Sequence, residues 1–258
     1  VKKENIGLVL SGGGVKAIAH IGLIEVLLKN NIVPNIISGT SAGAMIGALY
    51  AANHSPLEMI SFFEKTPLIK VSYFARNKPG FLDSEKYAKH FSHYFSENSF
   101  ESLKYPLSIA ATNILKAQVA YFNQGPLIKA IIASSALPPL FSPVDINGQL
   151  YCDGGILDNF PLDPIKKYCN KIIGSFVNPV TEINRSEINS STDLVYRAYH
   201  IGMDVTDIKK FKYCNYVFSP PKIDTIGAID TKSIRKAYQI GYDFATEEIE
   251  TIIKYLKY

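Results

Sequence analysis

Twice near its start the chain repeats one pattern: a short apolar run ends in small residues and passes into a segment of helical period. Ile6–Leu10 (IGLVL) runs into Ser11-Gly12-Gly13-Gly14, and a helix is expected over Ala17–Asn30, where Ile21, Ile24 and Leu28 share a face. Asn30-Asn31 and Pro34 end that helix. Asn35–Ser38 then reads as a second strand and Ala42–Asn53 as a second helix. Strand–helix–strand–helix order implies parallel strands with helices packed against the sheet, because parallel neighbours need a long crossover connection.

The rest of the chain continues the alternation. Pro56–Lys65 and Ser84–Phe95 read as helices joined through Asn77-Lys78-Pro79-Gly80. Leu107–Thr112, Val119–Phe122 and Lys171–Val177 read as strands, and Leu127–Ser134 as a helix opened by Pro126. The last third reads as mostly helical. From Ile234 on, Tyr238, Gly241, Ala245, Ile249, Ile252 and Leu256 keep to one helical face, expected to dock on the body of the protein rather than on a membrane. No internal repeat and no linker divides the sequence, so residues 1–258 are expected to form one domain, with a motif-bearing core over about 6–177 and a helical part over about 181–258.

A hydrophobic fraction of 47% describes a folded globular protein and argues against disorder. The formal charge of +4 favours anionic surfaces slightly, and no Lys/Arg block marks a nucleic-acid partner. Cys152, Cys169 and Cys214 are an odd count without a C-x-x-C, which points to reduced thiols and neither disulfides nor a metal site. The greasy stretch Ile36–Ala52 is interrupted by Ser38, Thr40, Ser41 and three glycines, a poor transmembrane helix and a good buried strand–turn–helix. The N-terminal Val-Lys-Lys-Glu-Asn is not a signal peptide, although the missing initiator Met leaves a removed leader open. A cytoplasmic or peripherally membrane-associated protein without cofactor or metal is the expectation.

Three segments carry chemistry. Gly39-Thr40-Ser41-Ala42-Gly43 is a G-x-S-x-G turn between strand and helix. It suits a nucleophile, because a sharp turn exposes the hydroxyl above the sheet while small neighbours let backbone approach. The same residues also fit a tight helix start in which Ser41 is only a cap. Ser11-Gly12-Gly13-Gly14-Val15-Lys16 exposes successive amides to an anion or an oxyanion. Its Gly12-x-Gly14-x-x-Ala17 spacing loosely matches a dinucleotide loop, but the second strand lacks the acid that would hold a ribose, so the oxyanion reading is preferred. Asp153-Gly154-Gly155 places an acid at a strand end between residues that leave its carboxylate open, though a lone Asp-Gly is also ordinary turn chemistry.

Taken together these segments resemble the patatin-like phospholipase family over about Ile6–Val177. Ser134-Ser135-Ala136-Leu137-Pro138-Pro139-Leu140-Phe141 also resembles the segment that precedes the acid in that family. The resemblance implies an α/β fold, a three-layer α/β/α sandwich with a mostly parallel central sheet. It further implies hydrolysis of phospholipid or related lipid acyl esters by a Ser–Asp dyad without histidine. By position Ser41 is then the nucleophile and Asp153 its base, and the amides of Gly12, Gly13 and Gly14 form the oxyanion hole. Gly39, Gly43, Gly154 and Gly155 support the turns. Lys16 stands where a basic residue is common, either adding positive field near the oxyanion or simply solvated at a helix start. Ala17 replaces the usual final glycine of the loop.

Other readings use the same residues. A Ser–His–Asp enzyme would run Ser41, Asp153, His200, but His200 lies in a helical stretch with no turn to present it. His20 shares a face with Ile24 and Leu27 and is expected to be packed, and His54, His90 and His93 have no motif around them. A silent lipid-binding protein and an acyltransferase remain alternatives. The substrate pocket is expected to be lined by Leu68–Phe81, including Tyr73 and Phe74, and by the helical last third.

Overall fold

The computed structural model describes residues 4–67, 71–180 and 182–257. In chain order the strands and helices are β1 (Ile6–Leu10), α1 (Ala19–Lys29), β2 (Ile36–Thr40), α2 (Ala42–Ala51), α3 (Pro56–Lys65), α4 (Ala88–Phe91), β3 (Leu107–Asn113) and β4 (Gln118–Phe122). They continue with α5 (Leu127–Ser134), β5 (Val144–Ile146), β6 (Gln149–Asp153), α6 (Asp163–Lys166), β7 (Lys171–Ser175), α7 (Ser191–Asp207), β8 (Tyr216–Phe218) and α8 (Ile234–Lys257).

The eight strands of the described residues form one sheet in the order β5-β6-β3-β2-β1-β7-β8, with β4 on β3 as well. The run β3-β2-β1-β7-β8 is parallel, and β4, β5 and β6 are antiparallel additions. Successive side chains of a strand point to opposite faces. Leu8 and Leu10 accordingly enter the large core shared with α1, α2, α5 and α8, while Val9 enters a smaller one with Phe160, Leu162, Ile165, Ile172 and Phe176. The cover on that second face is thin: α6 and a 3-10 turn over Ile208–Tyr213, whose Phe211 packs on Phe160 and Phe176. The fold is thus an α/β sandwich about a mixed sheet.

The C-terminal helix docks as its apolar face predicts. Gly241, Ala245, Ile252 and Leu256 of α8 are buried, and α8 lies against α1. A Cβ on Gly241 would stand 2.1 Å from Ala19 O, so the two helices touch backbone to backbone. The last third is mostly helical, and its Tyr216–Phe218 also adds β8 to the parallel run beside β7. One expectation is corrected. Ser84–Phe95 is not one helix but a 3-10 turn over Ser84–Tyr87 followed by the single turn of α4. Likewise the first helix begins with a 3-10 segment, Gly14–Ile18, before α1 proper. Among the described residues no helix is long and apolar enough to cross a membrane. Leu68, Ile69 and Lys70, within the expected pocket lining, lie outside the described residues, as do Val1, Lys2 and Lys3 of the N-terminal stretch.

One detail of topology positions the site. Ala111, Thr112 and Asn113 of β3 pair with both β4 and β6, while Ile109 and Ala110 pair with both β4 and β2. A strand has only two hydrogen-bonding edges, so β2 and β6 share one edge of β3 and meet end to end. Thr40 pairs with Ala110 and Asp153 with the next residue, Ala111. The residue following Thr40 is Ser41. Two strands running toward each other thus deliver the serine and the acid to one point.

Candidate active site

Ser41 sits at the joint between β2 and α2 with φ 54° and ψ −127°, a backbone conformation that L-residues rarely adopt. The turn is tight enough to need both flanking glycines. A Cβ on Gly43 would lie 2.4 Å from Ser11 O, and one on Gly39 would lie 2.6 Å from Gly43 O. Ser41 N–H donates to Ser134 Oγ at 2.9 Å, and the Ser134 hydroxyl donates on to Ala110 O at 2.6 Å. Ser134 belongs to the segment resembling that before the acid, yet its part in holding the turn is visible only in three dimensions.

The Ser41 hydroxyl donates to Asp153 Oδ2 at 2.7 Å. Asp153 Oδ1 accepts the Gly155 amide at 2.8 Å, and Thr112 Oγ1 donates to the Asp153 main-chain oxygen at 2.9 Å. Gly154 closes the joint, since a Cβ there would meet Ala110 O at 2.3 Å. Burial pushes the Asp153 carboxyl up to about 6, against the opposing pull of the Ser41 and Gly155 hydrogen bonds. Neither Ser41 nor Asp153 is bonded to a histidine among the described residues.

The glycine loop is anchored from beneath. Ser11 N–H donates to Ser175 O at 3.0 Å, and Ser11 Oγ accepts Val177 N–H at 3.0 Å. His20 is fully buried; its Nε2 lies 2.9 Å from Ser11 O and its Nδ1 2.6 Å from Ser175 Oγ. A carbonyl only accepts, so Nε2 carries the proton and Nδ1 accepts from the serine. Burial lowers the His20 pKa to about 4, opposed by the bond to the Ser11 backbone, so the ring is neutral. The expectation for this residue holds: it is packed under the loop.

The three loop glycines are not equivalent. Gly12 N–H donates to Asn159 Oδ1 at 3.0 Å and lies 3.3 Å from Asn159 O, so its amide is already engaged. This departs from the expectation that all three amides face an oxyanion. Gly13 and Gly14 line the cavity, and no acceptor for either amide is found among the described residues. Gly14 has φ 58°, and a Cβ on it would fall 2.1 Å from Ala228 O, which also accepts the Val15 amide at 2.8 Å. Lys16 is not a solvated helix-start lysine. Its side chain is 15% exposed, with Nζ 3.5 Å from Asp224 Oδ1. Ala17 is fully buried in the 3-10 segment.

Ser41 and Asp153 open onto a cavity of about 220 Å³. Its walls are mainly apolar, with Met45, Phe62, Phe91, Ile132, Leu140 and Phe141 among them, and Asn159, Asn178, Tyr199 and His200 form a polar part. The expected lining is corrected at one end. Among the described residues of Leu68–Phe81 none lines the cavity: Tyr73 is buried and bonded to His90 (Oη to Nε2, 2.6 Å), while Phe74 and Phe81 are exposed. The lining comes instead from either side of that segment, Phe62–Pro67 and Ser84–Phe91, and from the last third as expected. His200 does reach the cavity, contrary to the sequence reading, because α7 brings it and Tyr199 to the cavity wall. Asn178 Nδ2 is 3.1 Å from its Nδ1, and burial, aided by the charges of Lys16 and Arg197, lowers its pKa to about 4. Cys152, Cys169 and Cys214 are free thiols.

A family model described as patatin-like phospholipase matches residues 8–166, the span that holds the glycine loop, the serine turn and the acid turn. An uncharacterized NTE family protein of Mycobacterium bovis is 32% identical over 164 residues, covering 62% of this chain and 45% of that protein. Lysophospholipase NTE1 of Meyerozyma guilliermondii is 25% identical over 281 positions, covering 96% of this chain and 19% of its own length. The chain thus spans less than half the length of these curated relatives. Among solved structures, VipD from Legionella pneumophila shares the fold with a TM-score of 0.58 at 16% identity, over 96% of this chain and 67% of that one. Since the family model covers more than half of the 258 residues and the motifs fall within it, the chain belongs to the patatin-like phospholipase family.

Proposed function

We propose that this chain is a serine acyl hydrolase that cleaves a lipid acyl ester through Ser41 and Asp153. The observation that carries the reading is the 2.7 Å hydrogen bond from Ser41 Oγ to a buried Asp153 at the mouth of an apolar cavity. Asp153 takes the Ser41 proton as the oxygen attacks the acyl carbonyl. The tetrahedral oxyanion then sits against the Gly13 and Gly14 amides, each such donor being worth about 3 kcal/mol in sites of this type. Protonated Asp153 returns the proton to the departing alcohol, leaving an acyl-enzyme. The same carboxylate then activates the water that releases the fatty acid and restores Ser41.

A carboxylate of ordinary basicity is a poor partner for a serine hydroxyl, and the burial of Asp153 answers that by raising its proton affinity. The cavity walls suit an acyl chain. Ile229, which lines the cavity and is 69% exposed, suits contact with a lipid surface. The lysophospholipase name of one relative agrees with a lipid ester substrate.

Treatment with a fluorophosphonate probe tests the reading. Wild-type protein is expected to carry one adduct on Ser41, with none on Ser41→Ala and labelling slowed by at least about 1,000-fold in Asp153→Asn. A folded wild-type protein that takes no label would leave only a lipid-binding role. With lysophospholipid, phospholipid and triacylglycerol supplied beside a competing alcohol, free fatty acid as the main product marks a hydrolase and acylated alcohol an acyltransferase.

A further inference from the structure

The dipeptide Asp158-Asn159 touches all three motifs at once. The Asp158 amide donates to Gly154 O at 2.8 Å, beside the acid. The Asp158 main-chain oxygen accepts the hydroxyl of Thr40, the residue before the nucleophile, at 2.8 Å. Asn159 holds the Gly12 amide, and the packing there is close: a Cβ on Gly12 would be 2.5 Å from Asn159 Oδ1 and 3.1 Å from Ser41 Cβ. The relative height of glycine loop, serine and acid is therefore set at two adjacent residues.

Something must hold those two residues in turn. The Asp158 side chain is buried; its Oδ2 accepts the Tyr121 hydroxyl of β4 at 2.6 Å, and its Oδ1 is bonded to Lys210. Lys210 also donates to Phe160 O at 3.1 Å and to Asp207 Oδ1 at 3.2 Å, so it grips the main chain on the far side of Asn159 as well. Among the described residues Tyr121, Lys210 and Asp207 are ionisable groups that face Asp158. Asp207 Oδ2 is buried with no hydrogen-bond partner among the described residues, and burial pushes that carboxyl up to about 7. An ionic cluster of this kind is weak as a source of stability, since an apolar replacement of similar volume often does as well. What it supplies is direction: each bond fixes one atom of the segment that carries Asn159. Lys210 lies in the 3-10 turn after α7, outside the matched residues 8–166.

We propose that Lys210 is a positioning residue for the reaction: by holding Asp158 and Phe160 it fixes Asn159, and through Asn159 the glycine loop against Ser41. The last third of the chain thereby sets the place of the Gly13 and Gly14 amides. The proposal rests on the Ser41 reading above, because only an oxyanion formed on a Ser41 adduct makes that placement count. A displacement of about 1 Å in such a site costs on the order of 100-fold in rate.

The test uses the whole chain and two readouts. Lys210→Met alone strands buried carboxylates and is expected to lose stability. The double variant Lys210→Met/Asp158→Asn removes the charge from both sides of the pair while the new amide still accepts from Tyr121. In the folded double variant, kcat on a short-chain ester is expected to fall about 10- to 100-fold with KM within about twofold of wild type. Amide hydrogen exchange at Gly12–Val15 is expected to quicken at least about tenfold while the amides of α1 keep their protection. Unchanged kcat, unchanged loop exchange, or an equal loss of protection in loop and α1 overturns the proposal, the last because it marks general destabilisation. If the wild-type protein forms no adduct at Ser41, the hydrolase reading fails, and the exchange comparison still decides whether Lys210 orders the loop.

Discussion

At the scale of single residues, the burial of Asp153 does two opposite things. It raises basicity toward Ser41, and it makes the ionised form costly to fold. With the folded pKa near 6, above an ordinary 3.8, Asp153 is available as the base of the proposed reaction only above about 6. We expect kcat/KM to fall as pH drops through about 6, measured on a soluble ester whose own chemistry is independent of pH there. The sign for stability is the reverse. A raised pKa in the folded state stabilises the fold below about 4, and that contribution is lost as pH rises through about 6. Asp153→Asn should therefore be more stable than wild type at pH 7, by up to about 3 kcal/mol, with the difference shrinking toward pH 4 in urea melts.

At the scale of elements, the joint between β2 and α2 stores strain. Ser41 holds φ 54° with a side chain attached, a conformation that costs of order 1 to 3 kcal/mol. Its amide tied to Ser134 and the close approach of Gly43 to Ser11 keep the turn from relaxing. Two variants that both lack the hydroxyl separate this strain from the loss of that group. Ser41→Ala keeps a Cβ in the unfavourable region, whereas Ser41→Gly does not. We expect the glycine variant to be the more stable by about 1 kcal/mol, the relief of strain outweighing the added freedom of its unfolded chain. Equal denaturation midpoints would place the strain elsewhere.

At the scale of the whole molecule, the sheet and its helical cover run past the residues matched by the family model. β7 pairs along β1 from Ile6 to Leu10 and lies between β1 and β8, and α8 covers α1. Ser175 and Ala228, both past the matched span, hold the two ends of the glycine loop. A fragment ending at Lys166 would leave β1 as a sheet edge and strip the apolar face of α1. It is expected to show no cooperative thermal transition, while the full chain melts in one; a sharp transition in the fragment would show that the last third is an accessory to the fold.

Much of this was legible in the residues themselves. Strand runs such as IGLVL, the glycines that mark both turns and the period of α8 are local signals, because each reflects what one short segment must bury or how sharply it must bend. By themselves they establish parallel strands at the start of the chain, a serine turn, an amide-rich loop and an acid at a strand end. The short β8 was not legible: Tyr216–Phe218 is too brief for a period and becomes a strand only because β7 offers it an edge. Nor does any spacing in sequence reveal that Asn159 occupies the Gly12 amide, that His200 reaches the cavity, or that Lys210 grips Asp158. Hydrogen bonds between residues far apart in the chain depend on where the sheet places its strands. Tertiary structure alone decided that β2 and β6 meet head to head on β3, which turned a serine and an aspartate read separately into a pair 2.7 Å apart.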